Sequence, residues 1–331
     1  MIYDCFVFFN ELDILELRFN ELDKVVDKFV LVEATKTFSN KDKPLYFQEN
    51  RSRYTPFLHK IIHVVIDHYP PFINAWTYET FQRNGIKKGL ISCEDSDLIL
   101  ISDADEIPRA EALLPLVNLT KIVCLDQLMF YYHLNRFCVS APFWTGTKVL
   151  PYRLLNSHTP DEIRSLKTEV IPNGGWHFSF MGGIENIILK TESYSHQEFN
   201  TDTLKNPDAL CVKIDSGKNI FGYKHRTKLV EIDEHFPLYL VENKSRFAHL
   251  LKDSNPLKIF SISSLIKKYR CISLLKKWMY YAEIKSFLLY ISLYRYSRKA
   301  LLKRILPKSL HGLVDKVHIR LPDERSKYRD A

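Results

Sequence analysis

Apolar runs and polar punctuation alternate along the first 110 residues in a regular rhythm. "IYDCFVFFNE" is short, aromatic and β-branched, and predicts a buried strand. Behind it Leu12, Leu15, Phe19, Leu22 and Val26 recur at helical spacing, which predicts an amphipathic helix. "KFVLVEATKTF" and "HKIIHVVID" predict two more buried strands. "AWTYETFQRNGIKKGL" reads as a helix with a glycine near its end. "DSDLILISDADEIPR" reads as a fourth strand that runs into a knot of acids. Strands that are apolar throughout suit a sheet covered on both faces, so the pattern predicts an α/β fold. In such sheets ligands gather beyond the carboxyl ends of the strands. Glu33, Asp67 and the acids at 103–106 all stand at such ends.

The rhythm blurs past residue 120. "KIVCLDQLMFYYHL" and "TKVLPYRLL" predict strands, and "GGWHFSFMGGIENIILKTESYSH" predicts strand, glycine turn and helix. Four of the ten glycines fall between 174 and 183, so this turn takes a backbone path that other residues resist. "PDALCVKIDSGKNIFGYKHRTKLVEI" predicts loop and short strands.

Charge divides the chain. Residues 1–250 carry 28 Lys and Arg against 33 Asp and Glu, whereas residues 251–331 carry 19 against 6. The net +8 therefore belongs to the last quarter. We expect a catalytic-sized domain over 1–250 and a basic, amphipathic helical extension over 251–331. A mildly acidic body argues against a nucleic-acid groove. The extension suits packing on the domain or an anionic membrane surface, with Trp and Tyr at headgroup level, and, least favoured of the three, nucleic acid. The first ten residues lack the basic region of a signal peptide, and no apolar run is long enough to span a bilayer. A cytoplasmic protein, peripheral at the inner membrane face, is the expectation. The six cysteines make no CxxC pair and are expected to be reduced thiols.

Asp103, Asp105 and Glu106 crowd three carboxylates into four positions. Like charges so close oppose one another's ionisation unless a cation sits among them. One reading makes them the cap and acidic first turn of a helix over "PRAEALLPLV". The other makes them oxygen ligands for Mn²⁺ or Mg²⁺, with carboxylates at i and i+2 beyond a strand end. The residues alone leave both standing.

"YDCFVFFNELDILELRFNEL", "DKFVLVEATKTFSN", "KPLYF", "FQRNGI", "SDADEIPR" and "GGWHFSF" together resemble glycosyltransferase family 17, in the same order over residues 2 to 200. The resemblance implies a GT-A fold: a Rossmann-like, nucleotide-sugar-binding sheet flanked by helices. It implies metal-dependent, inverting transfer of GlcNAc from UDP-GlcNAc to a glycan or glycolipid acceptor. On that reading Asp105 ligates the Mn²⁺ or Mg²⁺, Asp103 meets the ribose or the metal shell, and Glu106 orients the loop. His177, in "GGWH", supplies a third ligand or a pyrophosphate contact. Glu33 contacts the uridine, while Asp67, Arg83 and Asn84 enclose the base. Glu185, at a helix start after the glycine turn, is the expected general base. Glu198, His196 and Asp161 stand behind it. Trp176 stacks on a sugar or packs in the core. Two rival readings are a nucleotidyl- or phosphotransferase and a glycan-binding scaffold. The first is disfavoured because the chain has no lysine-bearing Gly-rich phosphate loop.

Overall fold

The protein is described by a computed structural model covering residues 1–71, 74–253, 259–270 and 273. Contacts divide the chain into a unit Met1–Tyr269 and a unit Arg270–Ala331. All the elements below belong to the first. The expected basic helical extension lies, from residue 274 on, outside the described residues.

The strands are β1 (Ile2–Phe8), β2 (Lys28–Ala34), β3 (Ile61–Ile66), β4 (Leu98–Asp103), β5 (Glu106–Pro108), β6 (Val123–Tyr131), β7 (Arg136–Cys138), β8 (Phe143–Trp144), β9 (Lys148–Pro151), β10 (Glu169–Ser179) and β11 (Thr227–Leu229). They form one sheet whose main path runs β11-β7-β6-β9-β4-β1-β2-β3. β3, β2, β1 and β4 are parallel. β9 lies antiparallel between β4 and β6, so β6 again points the same way as β4. β10 follows β6 in parallel and carries β5 on its other edge. The carboxyl ends of β1, β4, β6 and β10 therefore open on one side of the sheet. This is the α/β, Rossmann-like sheet that the sequence predicts.

Burial on both faces explains the near-continuous apolar strands. Ile2, Phe6 and Phe8 of β1 pack with Leu15, Phe19 and Leu22 of helix α1 (Leu12–Leu22). Tyr3, Cys5 and Val7 face the opposite layer with Ile86 and Leu90. Phe19 meets the rings of Phe29 at 4.7 Å and Tyr54 at 5.4 Å. Burial of such a side chain contributes about 1.5–3 kcal/mol.

Four further helices matter for the site or the sequence reading: α2 (Ala75–Asn84), α3 (Pro160–Ser165), α4 (Gly183–Ser193) and α5 (Pro207–Asp215). The last corrects an expectation, since that segment reads as loop and short strands. The Asn206 side chain accepts from the Ala209 N–H, Pro207 occupies the first turn, and Leu210 and Ile214 are buried one turn apart. These are helix-start signals that the neighbouring glycines and lysines obscure. The capping reading of the acidic knot is also overturned. After Asp103 the chain makes a tight turn and re-enters the sheet as β5; the next helical residue is Ala110, with Arg109 at its cap.

Candidate active site

A cleft of about 930 Å³ runs along the carboxyl ends of β1, β4, β6 and β10. Phe9, Asp103, Asp105, Tyr131 and His177 line it from the sheet, and α2, α3 and α4 supply its walls.

The acidic turn forms the floor and is held from below. Arg18 of α1 is fully buried and forks onto Asp4 of β1, with Nε and Nη2 at 2.7 and 2.6 Å from the two carboxylate oxygens. Its Nη1 donates to the main-chain oxygens of Asp103, Ala104 and Glu106, and Nη2 reaches the Ser102 hydroxyl. The turn thus gets its carbonyl partners from one guanidinium. Sequence reasoning missed this residue. The available signal was a charge on each of two apolar faces, Arg18 beside Leu15 and Leu22, and Asp4 inside β1.

Glu106 is fully buried and acts as the keystone above. Both its oxygens take Arg164 of α3, at 2.7 and 2.8 Å. Trp144 Nε1 donates to it at 2.6 Å and Thr147 Oγ1 at 3.2 Å. Glu106 also accepts the Asp103 N–H at 3.3 Å. Asp103 faces the cleft between Arg83 (3.1 Å) and Arg164 (3.0 Å). Burial opposes its ionisation, but the two guanidiniums outweigh that and pull its pKa down to about 2. Asp105 turns the other way. Its Oδ2 takes the Lys190 ammonium of α4 at 2.7 Å, and its Oδ1 stands 3.4 Å from His177 Nε2. Burial again opposes ionisation, and Lys190 and His177 hold the carboxyl well below the usual range.

Helix α2 explains the wall. Trp76, Glu79, Thr80 and Arg83 recur at i, i+3, i+4 and i+7 and all face the cleft. Arg83 bonds Asp161 at 2.6 Å and Glu79 at 2.6 Å besides Asp103. The side chain of Asn84 accepts the Asp161 N–H at 3.1 Å, so Asn84 supports the wall and does not line it.

Several expected site residues stand elsewhere. Glu33 is fully buried below the cleft, where its carboxylate takes the Phe47 N–H at 2.8 Å and His63 Nε2 at 3.0 Å. Asp67 is exposed and paired with His68 at 2.7 Å, and neither Glu33 nor Asp67 lines the cleft. Glu185 is exposed in the first turn of α4. Five positions separate it from Lys190, about 140° around a helix, so the face that sends Lys190 inward sends Glu185 away from the cleft. His196 does line the cleft, and its Nδ1 stands 2.7 Å from Glu198. Asp161 lines it too, held by Arg83 and Thr80. Trp176 is fully buried in a cluster with Phe130, Phe178 and Phe236, with Nε1 on the His235 carbonyl at 2.7 Å, which settles it as a core residue.

The metal candidates are only partly drawn together, because Asp103 turns to arginines while Asp105 and His177 turn to each other. The Asp105–His177 pair fits a dication. Its two atoms are close enough to reach one ion at about 2.1 Å each, and a carboxylate with an imidazole suits Mn²⁺. The Lys190 ammonium occupies the other Asp105 oxygen. Among the described residues, Asp233, Glu234 and His235 place one ligand atom each within 4.8 Å of one another, and none of the three lines this cleft.

A family model described as Glycosyltransferase family 17 matches residues 1–255. The human β-1,4-mannosyl-glycoprotein 4-β-N-acetylglucosaminyltransferase is 33% identical over 290 residues, covering 73% of this chain and 53% of the human one. The rat protein of the same name is 33% identical over 292 residues, covering 74% and 53%. The chain spans about half the length of these curated relatives. Among solved structures, glucosyl-3-phosphoglycerate synthase from Mycobacterium tuberculosis in complex with Mn²⁺ and uridine-diphosphate-glucose aligns with 54% of this chain and 70% of its own. That alignment has 12% identity and a TM-score of 0.31.

Proposed function

The chain belongs to glycosyltransferase family 17, and from that premise we propose that its cleft transfers GlcNAc from UDP-GlcNAc to a glycan acceptor with inversion, assisted by a divalent cation. The observation that carries the reading is the turn Asp103–Glu106 at the carboxyl end of β4, set among Arg83, Arg164, His177 and Lys190 on the floor of the cleft.

Asp105 and His177 would hold the Mn²⁺ or Mg²⁺, with Asp103 beside them. When bound, the ion neutralises charge that develops on the departing diphosphate. The chain's own groups do the rest. Arg83 and Arg164 present guanidinium charge to the same space, and Lys190, paired with Asp105, would offer the diphosphate a further cation. Arg18 and Glu106 fix the turn, so that the carboxylates do not reorganise during the reaction. Phe9, Lys36 and Thr37 on the β1 and β2 side of the cleft receive the nucleoside, in place of Glu33 and Asp67. The acceptor hydroxyl loses its proton to His196, whose ring Glu198 orients through Nδ1. This assignment replaces Glu185, which faces away from the cleft.

The test is nucleotide release. Purified protein receives a panel of UDP- and GDP-sugars with Mn²⁺, beside an Asp105→Ala variant. UDP release from UDP-GlcNAc, lost with EDTA and in the variant, is expected. Absence of both release and calorimetric binding for every donor sinks the proposal.

Attachment to anionic lipid at the cytoplasmic face is a separate proposal, supported by the excess of 19 basic over 6 acidic residues beyond position 250. Among the described residues no helix is long and apolar enough to cross a membrane. The full chain should sediment with phosphatidylserine vesicles; sedimentation no greater than with phosphatidylcholine refutes it.

A further inference from the structure

Beyond the acidic turn, the cleft carries a band of rings that the nucleotide chemistry leaves unused. Trp76 meets His196 at 4.6 Å, and His196 meets Phe199 at 6.1 Å. Phe199 meets Tyr223 at 6.1 Å, Tyr223 meets His225 at 5.8 Å, and His225 meets Tyr131 at 6.3 Å. All six line the cleft, and they come from four places in the chain: α2, the segment after α4, the segment before β11, and the end of β6. Trp76 is 49% and Tyr223 54% exposed. Rings as open as these two contribute little to the core, so packing does not explain Trp76 and Tyr223.

A second observation points the same way. Three polar atoms of this wall are buried and have no hydrogen-bond partner among the described residues: Tyr194 Oη, Asn219 Nδ2 and His225 Nδ1. All three residues line the cleft, and Asn219 is only 5% exposed. A buried amide or hydroxyl left unpaired costs about 1–3 kcal/mol, so such atoms mark where a ligand supplies the missing partner. The occupant must present apolar faces to the rings and hydroxyls to the orphaned atoms at once. A pyranose does both. Its C–H faces lie flat on aromatic rings, and its edge is a row of hydroxyls.

We propose that Tyr223, His225 and Asn219, with Tyr194 and Phe199, form the acceptor subsite, which binds a terminal pyranose of a glycan. The inference rests on the glycosyltransferase reading and deepens it. His196, the base, stands inside the same band, so a sugar stacked there brings a hydroxyl to the group that takes its proton. The band runs from Trp76 of α2 past His196 to Tyr131 at the end of β6.

The experiment uses the full chain saturated with UDP and Mn²⁺. Methyl β-glycosides of GlcNAc, mannose, galactose and glucose, and their β-1,4-linked disaccharides, are the probes. Binding is read by saturation-transfer NMR and UDP binding by calorimetry. At least one probe should bind. Tyr223→Ala should weaken it tenfold or more, Tyr223→Phe should keep it, and UDP affinity should stay within twofold in both. Asn219→Ala, checked for fold by circular dichroism, should weaken the same probe. If UDP-GlcNAc binds but no glycoside does, the subsite is wrong and the transferase reading survives. Loss of UDP affinity in Tyr223→Ala assigns the band to the nucleotide and overturns the proposal. If neither UDP-GlcNAc nor any glycoside binds, both readings fall.

Discussion

The Lys190 ammonium stands 2.7 Å from Oδ2 of Asp105, across 85 residues of chain. The carboxylate expected to hold a metal is therefore already neutralised by a cation of the protein's own. The pair exists because Gly182 and Gly183, at φ of 93° and 85°, turn the chain sharply from β10 into α4. That turn swings the helix back over the acidic loop.

Competition between lysine and metal gives the first prediction. Lys190→Met keeps the length of the side chain and removes its charge. Mn²⁺ should then bind about tenfold more tightly, a change of ~1.4 kcal/mol, while donor turnover falls because the diphosphate loses a partner. Calorimetric titration with Mn²⁺ alone reads the first effect. Unchanged or weaker Mn²⁺ binding means that Lys190 and the ion do not share Asp105.

The second prediction concerns acid. Asp103 and Asp105 both ionise more readily in the folded chain than in the unfolded one. The folded state thus binds fewer protons. Their stabilisation is complete above the ordinary Asp value of about 3.9 and is lost as pH falls toward 2, where Asp103 protonates. Urea midpoints measured from pH 6 to pH 2 should drop through this window. An Asp103→Asn/Asp105→Asn variant should start lower at pH 6 and fall less steeply. Parallel curves for the two proteins would show that the arginine and lysine pairs add nothing to stability.

Arg18 carries the third. It is fully buried against Asp4 and three carbonyls of the acidic turn. Arg18→Met strands a buried carboxylate, and removal of one partner of such a pair costs about 3–5 kcal/mol. Chemical denaturation should show that loss. Arg18→Met/Asp4→Leu should recover part of it, because no unpaired charge remains inside. Nucleotide release should stay low in the double variant, since the turn still lacks its donor. Full recovery of activity with stability would mean that Arg18 serves packing alone.

The sequence by itself determined the local elements. Burial periodicity is a property of neighbouring residues, and it delivered β1 to β4, α1, α2, the glycine turn and the acidic motif at a strand end. The ordered blocks from Tyr3 to Phe180 delivered the family. The helix at Pro207–Asp215 was legible as well, through Asn206 and Pro207, but the glycines after it pointed to loop.

Only the tertiary structure decided which charges meet. Glu33, at a strand end like Asp103, is drawn below the cleft because Phe47 and His63 pack over it and their donors take its oxygens. Asp103 stays at the surface of the cleft because α2 and α3 bring arginines to it there. Arg18, Arg164 and Lys190 reach the acidic turn from elements 58 to 88 residues distant. The ring band likewise joins Tyr131 to segments far along the chain. Such meetings depend on the order and hand of the crossovers between strands. Hydrophobic spacing records which face of an element is buried, but not which other element covers it.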